Sequence, residues 1–335
     1  MIMTVVLLLG SAALIYVSCE YFVNGVEWAG RRLGVRQSAV GTVLAAFGTA
    51  LPESVVTFVA VVFGTNEAQK DIGVGAALGG PLVLGTIAYA VVGLVFLTSK
   101  DKQRQGLLAS VDTAKLSRDQ AWFMGIFVVK VALGLVAFAI KPWLGTLFVI
   151  AYGLYVWKEM QRPHSEGAIE EELEIEPLKL RPNMREVSTG WALFQTGVAL
   201  VVIFAGSHLF VHQLDAIGPW LGMSPQMVAL LLSPIATELP ETLNAVIWVR
   251  QGKVPLALGN ISGAMMIQAT IPSALGIFFT PWMLSRSLVW AAVVTLVAVA
   301  ALFVLLRKRM LTPARLSLLG LFYVLFAAGL FALGG

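Results

Sequence analysis

Two short stretches concentrate the oxygen chemistry of this chain. Gly48-Thr49-Ala50-Leu51-Pro52-Glu53 and Ala236-Thr237-Glu238-Leu239-Pro240-Glu241 each place a carboxylate, a hydroxyl four residues before it and a proline inside an apolar run. Residues four apart share a helix face, so Thr49 goes with Glu53 and Thr237 with Glu241. Proline has no N–H and leaves the carbonyl four residues earlier without its helical donor. Pro52 thereby frees the carbonyl of Gly48, and Pro240 that of Ala236. Carboxylates, hydroxyls and free carbonyls are hard oxygen ligands, the set that Ca²⁺ and similar cations prefer. Glu238 adds a further carboxylate one turn from Glu241. An ionised carboxylate in mid-membrane costs at least a few kcal/mol and normally faces a partner or a wet cavity. The plainer alternative is two kinked helices whose glutamates only hydrogen-bond each other. That the same costly group stands in both copies favours an oxygen-lined cation cage.

The elements that hold these motifs are set by composition. Of 335 residues, 58% are hydrophobic and 13% charged, against about 45–50% and about 25% in soluble globular domains. Lipid is therefore the main solvent, and the expected fold is all-α and integral to the membrane. Apolar runs predict about ten transmembrane helices, near 3–29, 38–63, 72–98, 120–140, 142–159, 190–216, 224–249, 254–279, 287–306 and 312–333. Each is close to the ~20 residues that span a ~30 Å hydrocarbon core. The first run reads as a mature helix, since no small-residue cleavage site precedes a soluble domain. Cys19 is the sole cysteine, which excludes disulfides within the chain and Cys-rich metal sites. The net charge of +4 reflects basic loops on one face and points away from nucleic-acid binding.

Those loops give an orientation. Arg31, Arg32 and Arg36 follow the first helix, and Lys100, Lys102, Arg104, Lys115 and Arg118 the third. Lys158, Arg162, Lys179, Arg181 and Arg185 flank the central linker, Arg250 and Lys253 follow the seventh helix, and Arg307, Lys308, Arg309 and Arg315 the ninth. The opposite loops hold only Lys70, Lys141 and Arg286. The positive-inside rule puts the basic set in the cytosol and both termini outside. The linker 161–189, acidic from Glu170 to Glu176, reads as a solvated tether, with a regulatory cation-binding segment as the sharper alternative.

A shift of 188 residues lays the sixth helix on the first: Phe22-Val23 meets Phe210-Val211, and Leu33-Gly34 meets Leu221-Gly222. The same shift superposes Thr49, Leu51, Pro52 and Glu53 on Thr237, Leu239, Pro240 and Glu241. After a four-residue loop difference, Gly75 and Gly79 meet Gly259 and Gly263. The repeat unit therefore has five helices, and an odd number of crossings turns the second copy upside down. The expected organisation is one repeat over 1–160, a cytosolic linker over 161–189 and an inverted second repeat over 190–335. Secondary transporters are built this way, with the substrate site at mid-membrane where the copies meet.

These features resemble the cation/calcium antiporter superfamily, the sodium/calcium exchangers and their proton-coupled relatives. The resemblance covers nearly the whole chain: five plus five helices, a central linker, and a Gly-Thr-Ser-Leu-Pro-Glu-like motif in the second and seventh helices. It implies that Glu53 and Glu241 bind a divalent cation, Ca²⁺ or similar, which is exchanged for Na⁺ or H⁺ by alternating access. It implies no cofactor beyond the transported ions, small inorganic cations and the bilayer as partners, and the plasma membrane as location. There are departures from the family pattern. The Gly-Asn-x-x-Gly-Ser-Asn-like motif becomes Gly259-Asn260-Ile261-Ser262-Gly263-Ala264-Met265 in the eighth helix and Gly75-Ala76-Ala77-Leu78-Gly79-Gly80-Pro81 in the third. The last polar ligand is thus Met265 in one copy and Pro81 in the other, while Glu238 stands where Ser is usual. Pro81 frees the carbonyl of Ala77, and Pro272 that of Gln268. Asn260, Ser262, Gln268 and Ala77 are accordingly the secondary ligand candidates.

The remaining polar residues have competing readings. Glu20, Asn24 and Glu27 lie on one side of the first helix, and His208, His212 and Asp215 hold the matching places on the sixth. His208 and His212 are four apart, a spacing open to a transition metal, but also to a crevice lining. Lys130 falls deep in the fourth helix, too deep to snorkel easily, and calls for a salt-bridge partner or a wet groove. An intramembrane metalloenzyme would need a glutamate beside the histidines, and a scaffold has no reason to keep paired buried acids.

Overall fold

The architecture is seen in a computed structural model that describes residues 2–32, 37–98, 108, 111–160, 176–183 and 187–333. The side chains of 37–49, 159, 160, 235, 236, 240, 331 and 333 lie outside that set. Among the described residues every regular element is helical: α1 (Ile2–Arg32), α2 (Gln37–Val62), α3 (Glu67–Val83), α4 (Tyr89–Thr98), α5 (Thr113–Leu133), α6 (Gly145–Met160) and α7 (Thr189–Leu221). There follow α8 (Pro225–Thr237), α9 (Leu239–Arg250), α10 (Val254–Phe279), α11 (Arg286–Arg307), α12 (Pro313–Leu318) and α13 (Gly320–Leu333). Among the described residues, six stretches are long and apolar enough to cross a bilayer: Ile2–Arg32, Glu67–Thr98, Thr189–Leu221, Val254–Phe279, Arg286–Arg307 and Pro313–Leu330. The chain is an integral, multi-pass membrane protein.

Capping residues set many of the helix starts. Asn66, Asp112, Ser188, Ser224, Ser285 and Thr312 each accept from a backbone N–H three residues on, satisfying one of the orphan donors of a first turn. Gly222 ends α7 in the left-handed region at φ 63°, a conformation that glycine adopts without a Cβ penalty. The Asp112 cap moves the fourth long helix from the expected 120–140 to Thr113–Leu133. It stops at Gly134, seven residues before Lys141 opens a 3₁₀ turn containing Pro142. Lys130 therefore lies in the last turn of α5 rather than mid-way along it.

The two copies of the proline motif behave differently. α2 runs unbroken through Pro52. In the second copy, expected as one helix over 224–249, the chain breaks at Glu238 between α8 and α9. The cause is Pro234, matched by Ala46 in the first copy. With Pro240 it removes two helical donors on either side of Glu238, and Glu238 takes φ −98°, ψ −4°. α3 passes through Pro81 into one π turn, Leu84–Ala88, before α4. Such π turns are rare and often mark functional sites.

Packing between the halves is reciprocal. α1 lies along α7 and α5 along α11. α2 packs on α10 while α3 packs on α8, and α6 packs on α10 while α12 packs on α4. The α3–α8 approach needs glycine. A Cβ on Gly75 would stand 2.6 Å from the Gln226 carbonyl oxygen, and one on Gly79 2.6 Å from Pro234 Cγ.

The end of the linker is docked, not a free tether. Asn24 on α1 donates to the Glu176 carbonyl at 3.1 Å and accepts from the Lys179 N–H at 3.0 Å and from Gln195 Nε2 at 2.9 Å. Lys179 pairs with Glu20 at 3.3 Å, and Leu178 and Val187 are buried with Ala29 and Ala192. Residues 161–175 and 184–186, with most of the acidic centre, lie outside the described residues, as do the loop cations Arg36, Lys100, Lys102, Arg104, Arg162 and Arg185. Asn24→Ala leaves buried partners unsatisfied, at about 1–3 kcal/mol. Limited proteolysis of the folded protein should then cut within 176–187 about tenfold faster or more. An unchanged cutting rate would contradict the docking.

Candidate cation-binding site

Buried acid groups meet where α2 faces the α8–α9 break. Glu53 is 1% exposed, Glu238 1% and Glu241 0%. Glu53 sits one turn beyond the carbonyl that Pro52 frees, and Glu238 occupies the break itself. Between them stands Thr237, whose hydroxyl donates to Glu53 Oε2 at 2.5 Å. Thr237 Oγ1 also lies 3.4 Å from Glu238 Oε1 and 3.1 Å from the Ser233 carbonyl oxygen. Glu238 Oε1 also accepts from Gln268 Nε2 of α10 at 2.6 Å. Gly80 of α3 closes this side, since a Cβ there would stand 2.7 Å from Gln268 Oε1 and 3.0 Å from Glu238 Oε1. Four elements thus converge on one constellation: Glu53, Thr237, Glu238 and Gln268, against Gly80.

The constellation has acceptors to spare. Glu53 Oε1, Glu238 Oε2 and Gln268 Oε1 are buried and have no hydrogen-bond donor among the described residues. Buried oxygens normally have donors. Three acceptors without them, close to a threonine hydroxyl and two carboxylates, are the ligand chemistry of a hard cation. The described residues hold no cluster of three or more His, Cys, Asp or Glu able to bind a metal by themselves. Any cation held here would complete its shell with the Thr237 hydroxyl, the Gln268 amide oxygen and carbonyls.

The other sequence candidates divide. Glu241 is buried in the first turn of α9 and lies within electrostatic reach of Tyr16 and Cys19 on α1. Gly48 lies in α2 and Ala236 in α8, and the side chains of Thr49 and Ala236 fall outside the described residues. Ser262 accepts from Gln120 Nε2 at 3.1 Å, and the same amide donates to the Tyr89 hydroxyl at 3.2 Å. Ser262 therefore belongs to a second buried polar network. Asn260 lies eight residues before Gln268, about 12 Å along α10. The Ala77 carbonyl accepts from Lys130 Nζ at 3.0 Å.

Glu20 and Asn24 serve the linker dock, while Asp215 accepts from Asn66 and Gln69 at 3.2 and 3.4 Å. His208 and His212 are exposed, and the His208 ring packs on Phe63 and Phe204. Tyr89, Gln120 and Pro234 were not singled out in the sequence. Pro234 carried a readable signal, a proline in one copy only.

Loss of the Thr237 hydroxyl tests the arrangement. Thr237→Val keeps shape and removes a donor to a charged group, worth about 1.5–3 kcal/mol. Binding of Ca²⁺ to the purified protein should weaken about tenfold or more, read with radioactive calcium at equilibrium. Unchanged binding would show that this hydroxyl is not part of the site.

Comparison with known proteins bears on the family and the fold. The sequence model of the family described as "Sodium/calcium exchanger protein" matches residues 3–159 and 191–332. CaxA of Alkalimonas amylolytica, named as a candidate antiporter, is 26% identical over 296 residues, covering 84% of this chain and 82% of that protein. The inner membrane protein YrbG of Escherichia coli (strain K12) is 25% identical, covering 84% and 81%. Among solved structures, the sodium-calcium exchanger NCX_Mj soaked with 2.5 mM Na⁺ and 0.1 mM Ca²⁺ has a TM-score of 0.59 at 18% identity, covering 98% of this chain and 99% of that one. Native YfkE has a TM-score of 0.62 at 16% identity, covering 96% and 93%. At these identities the two structures establish the fold alone.

Proposed function

This chain belongs to the sodium/calcium exchanger protein family, and from that premise we propose that it is a secondary antiporter, not an enzyme, exchanging Ca²⁺ or a similar divalent cation for Na⁺ or H⁺. The observation that carries the reading is the set of buried oxygens without donors on Glu53, Glu238 and Gln268, gathered around the Thr237 hydroxyl. Glu53, Glu238 and Thr237 would be first ligands, with Gln268 and the freed carbonyls of Gly48 and Ala236 beside them. Glu241 and Thr49, which the family motif names, complete the candidate set. The sequence match to the sodium/calcium exchanger family over most of the chain supports the same class of substrate.

The architecture would be two inverted five-helix repeats. Reciprocal packing supports this: a two-fold relation turns the α2–α10 contact into the α3–α8 contact, and the α6–α10 contact into that of α12 with α4. Helices α1 with α7 and α5 with α11 would straddle the axis. The site then lies where the copies meet, reachable from either side as one repeat rocks against the other. By its basic loops the linker would be cytosolic, both termini outside, and the location the plasma membrane.

A second reading is an exchanger whose cation and coupling have drifted. It is favoured by Pro81 and Met265, which stand where family members carry oxygen ligands, and by the carboxylate of Glu238. One experiment addresses both. Efflux of Ca²⁺, Mn²⁺ or Mg²⁺ from proteoliposomes is driven by an imposed Na⁺ gradient or by an imposed pH gradient. Divalent efflux under at least one gradient is expected, falling about a hundredfold or more in Glu53→Gln, which withdraws charge that a divalent ion needs. Flux surviving in Glu53→Gln, or no divalent flux under either gradient, would contradict the proposal.

A further inference from the structure

One buried cation has no place in the site as so far described. Lys130 is 0% exposed in a lipid-embedded protein. Its Nζ donates to the Ala77 carbonyl at 3.0 Å and lies over the Phe127 ring, 4.6 Å from the centroid. It interacts electrostatically with Glu53. Ala77 has an unusual carbonyl. Pro81, four residues on, has no N–H to offer it, and an unsatisfied carbonyl in a bilayer costs several kcal/mol. That carbonyl points along α3 toward the turn holding Gly80, which touches Gln268 and Glu238. Lys130 thus places a positive charge against a freed carbonyl and an aromatic face, within electrostatic reach of Glu53, a setting that suits a small monovalent cation.

The position is held firmly. The Lys130 carbonyl accepts from the Trp282 indole N–H at 2.9 Å, and Lys141 Nζ donates to the Trp282 carbonyl at 3.0 Å. Trp282 is fully buried and fits against Gly276. These contacts fix the end of α5, so the ammonium is presented at one point.

We propose that Lys130 is a resident cation of the transport site, a tethered ammonium that fills one monovalent-cation place at the Ala77 carbonyl, against the Phe127 ring. The inference rests on reading the Glu53–Glu238 constellation as the cation site. It adds a determinant of ion selectivity and number. Removing the ammonium vacates that place and opens a seat for a mobile monovalent ion beside the divalent one.

The test counts monovalent ions directly. Equilibrium binding of radioactive Na⁺ is measured on the purified full-length protein, with choline holding ionic strength constant. The proteins are the wild type, Lys130→Gln, which keeps a hydrogen-bond donor but loses the charge, and Lys130→Arg, which keeps the charge. Lys130→Gln should bind one Na⁺ more per chain than the wild type, methylammonium should compete for that extra ion, and Lys130→Arg should match the wild type. Equal Na⁺ counts in wild type and Lys130→Gln, with both proteins monodisperse, would overturn the inference. So would an extra Na⁺ in Lys130→Arg. If Lys130→Gln is not monodisperse, Lys130→Met is counted in its place under the same criteria. A parallel arm measures Ca²⁺ binding to the wild type alone. Its failure would strike the exchanger reading, while the Na⁺ count still decides the role of Lys130.

Discussion

A carboxylate inside a hydrocarbon layer loses the hydration that stabilises its charge, and only fixed dipoles, donors or cations can replace it. This chain accepts that constraint at Glu53, Glu238 and Glu241, all nearly or fully inaccessible. Much of the surrounding structure answers to it. Pro234 and Pro240 break the helix at Glu238. Thr237 is thereby set to bridge the acids of two helices. Gly75, Gly79 and Gly80 let α3 approach closely enough for α10 to deliver Gln268. The donors supplied are fewer than the acceptors, and that shortfall is the observation on which the proposed cation site rests.

The repeat provides the frame, and its departures provide the chemistry. Glu53 and Glu241 match, but Glu238 stands opposite Ala50, Pro234 opposite Ala46, and Gln268 opposite Leu84. The Lys130 ammonium donates within the first half, to Ala77, while its carbonyl is bonded by Trp282 of the second. Such asymmetry fits a carrier whose two halves exchange conformations about a common axis while the ligands stay chemically distinct. The second polar network, Gln120 with Tyr89 and Ser262, lies apart from the acids, and it explains why Ser262, although its motif position suggested a ligand, already has a donor.

The sequence made the repeat and the buried acids visible because both depend on local composition: a carboxylate and a proline inside an apolar run leave no ambiguity. Helix breaks were less legible, since α2 tolerates Pro52 while the second copy yields only where Pro234 adds a second lost donor. The ends of α5 were misplaced because apolar periodicity does not see the Asp112 cap or the stop at Gly134. The docking of the linker end is not legible in the sequence, because Leu178 and Val187 are isolated apolar residues in a polar stretch and their burial depends on α1 and α7. The partner of Lys130 was out of reach for the same reason. It is a backbone oxygen on another helix, 53 residues away in sequence.

Crystals of the wild-type protein equilibrated with Ca²⁺, with anomalous scattering collected near the calcium edge, test the central claim most directly. A strong anomalous peak is expected about 2.3–2.6 Å from carboxylate oxygens of Glu53 and Glu238, with the Thr237 and Gln268 oxygens completing the shell. A strong peak that touches neither carboxylate, such as one confined to the acidic linker, would contradict the account.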